Sequence, residues 1–371
     1  MINAPVFIVY ILCVRYHRFM KQSGKRTTTS LMISIILLCI SAALLIASRN
    51  IGGFAEWYSV NIYSVITSTI GRLAGAAPFS VAEAAVCILP FIILADIVRC
   101  RKRLRAALLH IVLIASVLFF LYAANCGINY HRNTFVDREA LYNATFTEDQ
   151  LADFCVYITE RLEECGSEPD YPQGKELADA ARLSMNDLSE DYPSLRGYYP
   201  APKQLTLLSR AFSSMGVSGI YSPFTIEANI NGEMPGMENP FTACHELSHL
   251  RGYMNEGEAN YIGWLACIES DDPAFNRSGW LIGWMYAGGT LKRVDPERYE
   301  TLREKLPSYA VSEIEENSLF WASHETKASE IQDRVNDAYL KANDQKEGIQ
   351  SYGMLTTLML MHYYDQSSRG Q

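Results

Sequence analysis

The most informative stretch of this 371-residue sequence is His245-Glu-Leu-Ser-His249, which has the pattern HExxH. On a helix, residues four apart share a face, so both imidazoles can reach one metal ion. A catalytic zinc ion takes three protein ligands and acidifies the water in its fourth position. Glu246 sits one step round the helix, where it can take the proton of that water and pass it to a leaving amine. The motif therefore predicts peptide-bond hydrolysis by zinc-activated water, with Glu246 as general base.

The pattern also arises by chance, in roughly one chain in a hundred of this length and histidine content. The alternative is an amphipathic helix that carries two partly buried histidines and no metal. Two features favour a metal. Phe241–Cys244 and Leu247 give the segment an apolar helix face, and Gly252 ends the helix shortly after His249. An acidic helix start then follows, and a chain reversal would bring its glutamates back toward the histidines.

That helix start, Glu256-Gly-Glu-Ala-Asn260, supplies the candidates for a third ligand. Glu256 and Asn260 are four residues apart and share a face, whereas Glu258 lies about 200° round the helix from Glu256. The spacing predicts that Glu256 binds the metal and that Asn260 accepts a hydrogen bond from the second nitrogen of a ligand histidine. Glu258 is expected to cap the helix and interact with its dipole. A partly unwound helix start would instead let Glu258 reach the metal.

The surrounding elements are predicted to be mainly helical. Thr147-Glu-Asp-Gln150 has the form of a capping box that opens a helix toward Cys165. Residues 217–230 are rich in Gly, Ser, Tyr and Ile and predict short strands or a hairpin, and 232–240 is a Gly/Pro-rich loop. Tyr221–Ile230 is either an edge strand that binds a peptide backbone or plain core. Further helices are expected at 174–187, 241–251, 256–269, 280–288, 312–342 and 349–363.

Three apolar stretches in the first 125 residues are long enough to cross a hydrocarbon layer of about 30 Å. They cover about 31–48, 79–98 and 106–124. A single stretch of this kind could be a buried core helix or a signal peptide, but three together predict a multi-pass membrane domain. The predicted fold class is therefore mainly α, with membrane helices followed by a helix-rich zincin-like domain that has a small β element.

The charge distribution predicts how the chain is oriented. Residues 1–125 carry 12 Lys/Arg and 3 Asp/Glu, and residues 126–371 carry 20 and 38. Basic residues precede the first span and crowd 99–105, so these segments are expected in the cytoplasm. Residues 126–371 would then form an extracytoplasmic domain of a cell-membrane protein. In the outer loop, Trp57, Tyr58 and Tyr63 are expected to form an interfacial aromatic belt. The acidic domain argues against nucleic acid as a partner and leaves the bilayer and a peptide or protein substrate.

The nine cysteines show neither a CxxC zinc pattern nor a disulfide framework. Four of them lie in or beside apolar segments. At most one bridge is expected among the remaining five, which are Cys126, Cys155, Cys165, Cys244 and Cys267. Cys244 precedes the first motif histidine but points about 100° away from it on the helix, which favours packing over coordination.

Family resemblances add to this interpretation. The segment Glu256–Asn260 resembles the third-ligand helix of the HtpX-like and CAAX-prenyl-protease gluzincins, whose pattern is Glu-x-x-Ala-Asp with the first Glu on zinc. This sequence departs from the pattern at Asn260, where Asp is usual. Gly252 matches the metzincin HExxHxxG, but Asn255 stands where a metzincin has its third histidine. The resemblance therefore implies a gluzincin-like site with His245, His249 and Glu256 as zinc ligands.

The whole chain resembles more closely an uncharacterised bacterial membrane family, the domain of unknown function 3810. The matching stretches are Pro78–Glu83, Gly127–Tyr130, Tyr221–Thr225, the HELSH segment, Tyr339–Lys341 and Ser351-Tyr352. Because the function of that family is unassigned, the resemblance implies a fold and a site rather than a substrate. It also makes Tyr339 and Tyr352 candidates for stabilising an oxyanion or orienting the substrate.

The function expected from these observations is that of a membrane-anchored zinc metallopeptidase. One alternative is a membrane receptor or scaffold that keeps a structural metal site and has no activity. Another is a metal-dependent hydrolase of a non-peptide envelope bond. Glu246 favours catalysis over the scaffold, because a structural metal site does not need a base.

Overall fold

The computed structural model describes residues 25–101, 104–138, 146–166, 170–343, 345 and 352–369. Several residues on which the orientation argument depends, among them Arg15, Arg18, Lys21, Lys102 and Arg103, lie outside the described residues, as does the side chain of Tyr352.

The fold is mainly α-helical, with three long apolar helices and one small sheet. The α-helices are Lys25–Asn50, Phe54–Tyr58, Ser64–Gly75, Val81–Arg99, Leu104–Tyr122, Phe135–Arg138, Glu148–Cys165, Gly174–Asp191, Ser209–Ser214, Asn239–Leu250, Glu256–Ile268, Pro273–Val294, Pro296–Arg303, Ser308–His324, Lys327–Ala342 and Tyr352–Arg369. Shorter π or 3-10 turns lie at Ser59–Tyr63, Ala123–Gly127, Asn129–His131, Pro193–Leu195 and Gly236–Glu238.

Three helices are long and apolar enough to cross a membrane, and we call them spans 1, 2 and 3. They cover Thr28–Asn50, Val81–Arg99 and Arg105–His131. Most of their side chains remain exposed, as expected for helices that lipid would cover. The three predicted spans are thus confirmed as helices, and span 3 continues seven residues beyond its predicted end through the π-helical turn Ala123–Gly127.

The sheet has three short strands in the order β1-β3-β2, with β1 at Lys203–Gln204, β2 at Gly219–Ser222 and β3 at Glu227–Ile230. β2 and β3 form the predicted hairpin and pair antiparallel, with Gly219 opposite Ile230. β1 pairs parallel with β3. β2 is therefore an edge strand, as one of the two interpretations of this segment required.

The prediction of one continuous helix over 312–342 is wrong, because two helices occupy this range. Ser308–His324 ends at the extended residue Glu325, and Lys327–Ala342 then begins with Thr326 as its N-cap. The side chain of Thr326 accepts from a backbone N–H of the new helix, and the Ser329 side chain accepts from the backbone N–H of Thr326 at 3.1 Å, so the break is hydrogen-bonded on both sides.

The segment between spans 1 and 2 also differs from the expectation. It is helical, and Tyr58 and Tyr63 are buried rather than facing a membrane interface. The Tyr63 hydroxyl lies 2.8 Å from that of Tyr221 and donates to the carbonyl of Leu250 at 2.9 Å. Of the three predicted belt residues only Trp57 is exposed, at 54%. This segment therefore packs onto the C-terminal domain, whose core it shares.

Span 2 is fixed to the C-terminal domain by two buried carboxylates. Glu227, on β3, accepts from the N–H groups of Val81 and Ala82 at 3.0 and 2.8 Å, in the first turn of span 2. Glu83, in the same turn, accepts from the N–H groups of Leu207 and Leu208 at 2.7 and 2.8 Å. This carboxylate satisfies backbone donors that lead into the helix Ser209–Ser214 of the domain.

Candidate metal centre

The HExxH sequence lies on the helix Asn239–Leu250, which we call the motif helix. Pro240 occupies its first turn, where a missing N–H costs nothing, and nearly every residue of the helix is buried. The chain reverses at Gly252, whose φ of +100° favours glycine. Asn255 then caps the helix Glu256–Ile268, the ligand helix, by accepting from the N–H of Glu258.

This reversal brings His245, His249 and Glu256 together. The Nε2 atom of His245 lies 3.4 Å from one Glu256 oxygen, and the Nε2 atom of His249 lies 3.6 Å from the other. The two imidazole rings are perpendicular, with centroids 4.6 Å apart. One ligand atom from each of the three residues lies within 4.8 Å of the others.

These residues fit a zinc ion. Two ligand atoms that are each 2.0–2.1 Å from one tetrahedral ion are about 3.4 Å apart, and each histidine Nε2 lies at a similar distance from one of the two Glu256 oxygens. Two imidazoles and one carboxylate are also the donor set of catalytic zinc sites that keep a fourth position open. In such a site His245, His249 and Glu256 would hold the ion.

The electrostatics of the three groups also suit a cation. Burial alone would lower the pKa of His249, but the Glu256 carboxylate more than offsets this and raises that pKa to about 9. Burial would raise the pKa of Glu256, yet His249 and His245 lower it overall, so this carboxylate is ionised. Glu256 therefore places a negative charge between the two imidazoles, where a bound cation would be stabilised.

Glu246 is separate from this trio. Its carboxylate is buried, and one of its oxygens lies 4.0 Å from His245 Nε2. Its other oxygen has no hydrogen-bond partner among the described residues. Burial raises the pKa of Glu246, and the nearby histidines and the N–H of Tyr221 only partly offset this. A buried carboxyl group with a raised pKa beside a metal site is suited to accept and return a proton.

The sheet edge holds Glu246 in place. A methyl group on Gly219 of β2 would come within 2.7 Å of a Glu246 oxygen and 2.8 Å of the Thr242 side chain. A residue with a side chain there would displace either the strand or the carboxylate. Gly219 thus lets β2 lie directly against the motif helix, a role that no motif in the sequence signals.

The groups behind the ligands differ in part from those expected. His249 Nδ1 lies 2.7 Å from the carbonyl of Tyr253, and this contact fixes the orientation of the ring. The sequence had predicted this role for the side chain of Asn260. Asn260 lines the cleft beside the ligands. Asn255 rather than Glu258 caps the ligand helix, and the buried Glu258 carboxylate accepts from the N–H of Val136 at 3.2 Å. Glu258 therefore connects the ligand helix to the segment that follows span 3.

The trio and Glu246 line a cleft of about 920 Å³. Tyr339, on the helix Lys327–Ala342, also lines it, with its hydroxyl 3.5 Å from Cys126 Sγ. Burial raises the pKa of Tyr339, so the hydroxyl remains protonated and can donate a hydrogen bond. The other walls come from span 3, β2 and the helices Pro273–Val294 and Ser308–His324.

The described cysteines are free thiols, and the bridge allowed for by the sequence is not formed among them. Cys244 is fully buried, and its thiol contacts that of Cys267 on the ligand helix. It packs the two helices together, in agreement with the prediction for Cys244.

A second group of possible metal ligands lies far along the chain from the motif, in spans 2 and 3. Asp96, Cys100 and His110 each offer an atom within 4.8 Å of the others. His110 Nδ1 lies 2.9 Å from an Asp96 oxygen, and both residues are buried. Both polar groups are tolerated in apolar helices because each is the hydrogen-bond partner of the other.

Comparison with known proteins gives a family but no activity. A family model described as protein of unknown function (DUF3810) matches residues 58–360. No curated protein and no solved structure matches the chain.

Proposed function

The chain belongs to the DUF3810 family, and we propose that it is a membrane-anchored zinc metallopeptidase. The observation that carries the proposal is the convergence of His245, His249 and Glu256 within 4.8 Å of one another, beside the separate buried carboxylate of Glu246. A metal site with only a structural role has no use for that fourth group, whereas hydrolysis needs a base.

The residues of the cleft have distinct roles in this proposal. Zinc, when bound, would polarise the substrate carbonyl and acidify the attacking water. Glu246 takes a proton from that water and returns it to the leaving amine, which restores the carboxylate. The Tyr339 hydroxyl lines the same cleft and can donate a hydrogen bond to the oxygen on which charge develops.

The exposed edge of the sheet favours a peptide as the substrate. The N–H of Asn231 donates to the carbonyl of Ser218 at 2.7 Å, and in an antiparallel ladder such paired positions alternate with unpaired ones. The peptide groups of Gly219 and Tyr221 therefore point away from β3, and both residues line the cleft. An extended substrate can pair with Gly219 as an added strand while its scissile bond lies near Glu246.

The full-length chain, purified in detergent, tests the proposal by metal analysis. We expect about one zinc per chain, lost in His245→Ala and in His249→Ala but kept in Glu246→Gln. Gln preserves the shape of Glu and removes the base. Equal zinc contents in the wild type and the two histidine variants would rule out the site.

Hydrolysis is tested by comparing peptide termini in membranes that contain the wild type, Glu246→Gln or the matched control Glu304→Gln, which changes an exposed residue. We expect cleavage products with the wild type and the control only. Identical termini in all three, with zinc still bound, would refute the peptidase assignment.

A further inference from the structure

The wall of the cleft includes part of a predicted membrane span. Tyr122, Cys126 and Tyr130 of span 3 line the same cavity as His245 and Glu256. Cys126 Sγ lies 3.7 Å from the sulfur of Met254, two residues before Glu256. The span thus contacts the loop that leads into the third ligand, Glu256.

The length of span 3 places this wall at the bilayer surface. A hydrocarbon layer of about 30 Å takes about 20 residues of helix, so a span that enters at Arg105 leaves near residue 125. Tyr122 is then at the hydrocarbon boundary, and Cys126 and Tyr130 are at the level of the lipid headgroups. Because Cys126 contacts Met254, two residues before Glu256, the metal ligands lie close to this level of the span.

The helix Lys327–Ala342, the cleft helix, is held at the same level. Arg49, near the end of span 1, donates to the carbonyl of Ala342 at 3.2 Å, and the Tyr122 hydroxyl donates to the Asn343 side chain at 2.7 Å. Arg49 and Tyr122 both belong to spans. The C-terminal end of the cleft helix therefore rests on the outer ends of spans 1 and 3.

The cleft helix carries one exposed apolar stripe beside polar residues such as Asp333 and Arg334. Ile331, Val335 and Tyr339 follow each other at four-residue intervals and therefore share one face. Ile331 and Val335 are 58% and 57% exposed, and Val335 and Tyr339 line the cleft. An apolar face that continues from a span into the cleft offers a path for an apolar chain rather than for a soluble peptide.

We infer that the substrate is a polypeptide anchored in the same leaflet of the bilayer, and that it reaches the metal centre along the cleft helix from the membrane side. This inference rests on the proposed peptidase function. The anchor remains among the lipids, and the scissile bond lies within a few residues of it. Tethering to the surface raises the local substrate concentration, so the cleft needs little affinity for the peptide itself.

The test uses the full-length chain reconstituted in vesicles of phosphatidylethanolamine and phosphatidylglycerol. The probes are fluorogenic peptide libraries with a randomised segment, in which a palmitoyl chain is joined at either end directly or through ten prolines. A polyproline spacer is stiff and holds the segment about 30 Å from the bilayer while the surface concentration stays equal. We expect the directly anchored libraries to be cleaved at least about tenfold faster.

Three outcomes separate this inference from the proposed function. Faster cleavage of the directly anchored libraries supports both. Equal cleavage with and without the proline spacer overturns membrane delivery and leaves the peptidase assignment standing. Cleavage of neither library by zinc-loaded protein overturns the peptidase assignment and this inference with it.

A pair of variants checks the route along the cleft helix. Val335→Asp places a charge on the apolar path, and we expect it to remove most of the preference for the directly anchored libraries. The matched control is Leu319→Asp, because Leu319 is 71% exposed on the preceding helix and does not line the cleft. An unchanged preference in Val335→Asp, or an equal loss in Leu319→Asp, would contradict the route.

Discussion

Glu256 and Glu258 are two residues apart on the ligand helix and have different surroundings. The oxygens of Glu256 face both motif histidines at 3.4 and 3.6 Å. The Glu258 carboxylate is buried on another side, where it accepts from the N–H of Val136. The helix is wound from its first residue and capped by Asn255, so its start is not unwound in the way that would let Glu258 reach the metal.

We therefore expect Glu256→Ala to lose zinc and Glu258→Ala to keep it. Removing Glu258 leaves the partly buried N–H of Val136 without this acceptor, which costs up to about 1–3 kcal/mol of stability. Metal analysis and thermal unfolding of the two variants in detergent measure the two effects. Loss of zinc in Glu258→Ala together with retention in Glu256→Ala would transfer the ligand role to Glu258.

The sequence predicted this trio of residues because its geometry is local. Four-residue spacing fixes which side chains share a helix face, and Gly252 marks the reversal between the two helices. The Tyr253 carbonyl behind His249 and the position of Gly219 beside Glu246 could not be predicted in this way. The Tyr253 carbonyl is only four residues from His249, but its residue type does not signal this role. The approach of Gly219 to Glu246 depends on tertiary packing.

At the scale of elements, the capping box at Thr147 was predicted correctly, whereas the cap of the ligand helix is Asn255 and not Glu258. The box at Thr147 and Gln150 forms with both of its hydrogen bonds, and the helix it opens ends at Cys165 as expected. Thr326 and Ser329 form a similar box, but the long apolar periodicity across 312–342 concealed it. The buried roles of Glu83 and Glu227 were missed because their partners lie more than a hundred residues away.

Glu238 connects two elements that border the cleft, and it gives a pH-dependent prediction. Its carboxylate accepts from Trp321 Nε1 at 2.7 Å, which holds the helix Ser308–His324 against the start of the motif helix. Burial raises the pKa of Glu238, and the bonds from Trp321 and Asn317 offset this only in part. A raised pKa stabilises the fold at low pH, and that contribution is lost as the pH rises through the folded-state value.

Glu238→Gln should therefore unfold at a higher temperature than the wild type at pH 8, and the difference should shrink toward pH 5. Gln still accepts from Trp321 but carries no charge to bury. Thermal unfolding of both proteins in detergent across this range measures the effect, with Glu304→Gln as an exposed control. A difference that grows as the pH falls would contradict the assigned cause.

At the scale of the whole molecule, the C-terminal domain and the span ends form one packed unit. Tyr63 from the segment between spans 1 and 2 contacts Tyr221 and Leu250, so that segment shares the domain core. The family match, which begins at residue 58, also includes this segment. Sequence patterns could not show this, because an apolar residue of a buried helix and one of an interfacial helix look alike.

The contacts of this packed unit place it on one side of the membrane. The ends of spans 1 and 3 and the start of span 2 all contact the C-terminal domain, through Arg49, Tyr122 and Val81. These three ends therefore lie on one side, and the 99–105 link lies on the other. That link is strongly basic, so the positive-inside rule predicts that it lies in the cytoplasm. Reporter fusions at residue 102 and after residue 130 should accordingly give opposite signals, with the reporter after residue 130 outside the cytoplasm.

The same signal from both fusions would contradict three crossings. Opposite signals with the 102 fusion outside would keep the three crossings and invert the orientation, which would move the metal centre to the cytoplasmic face.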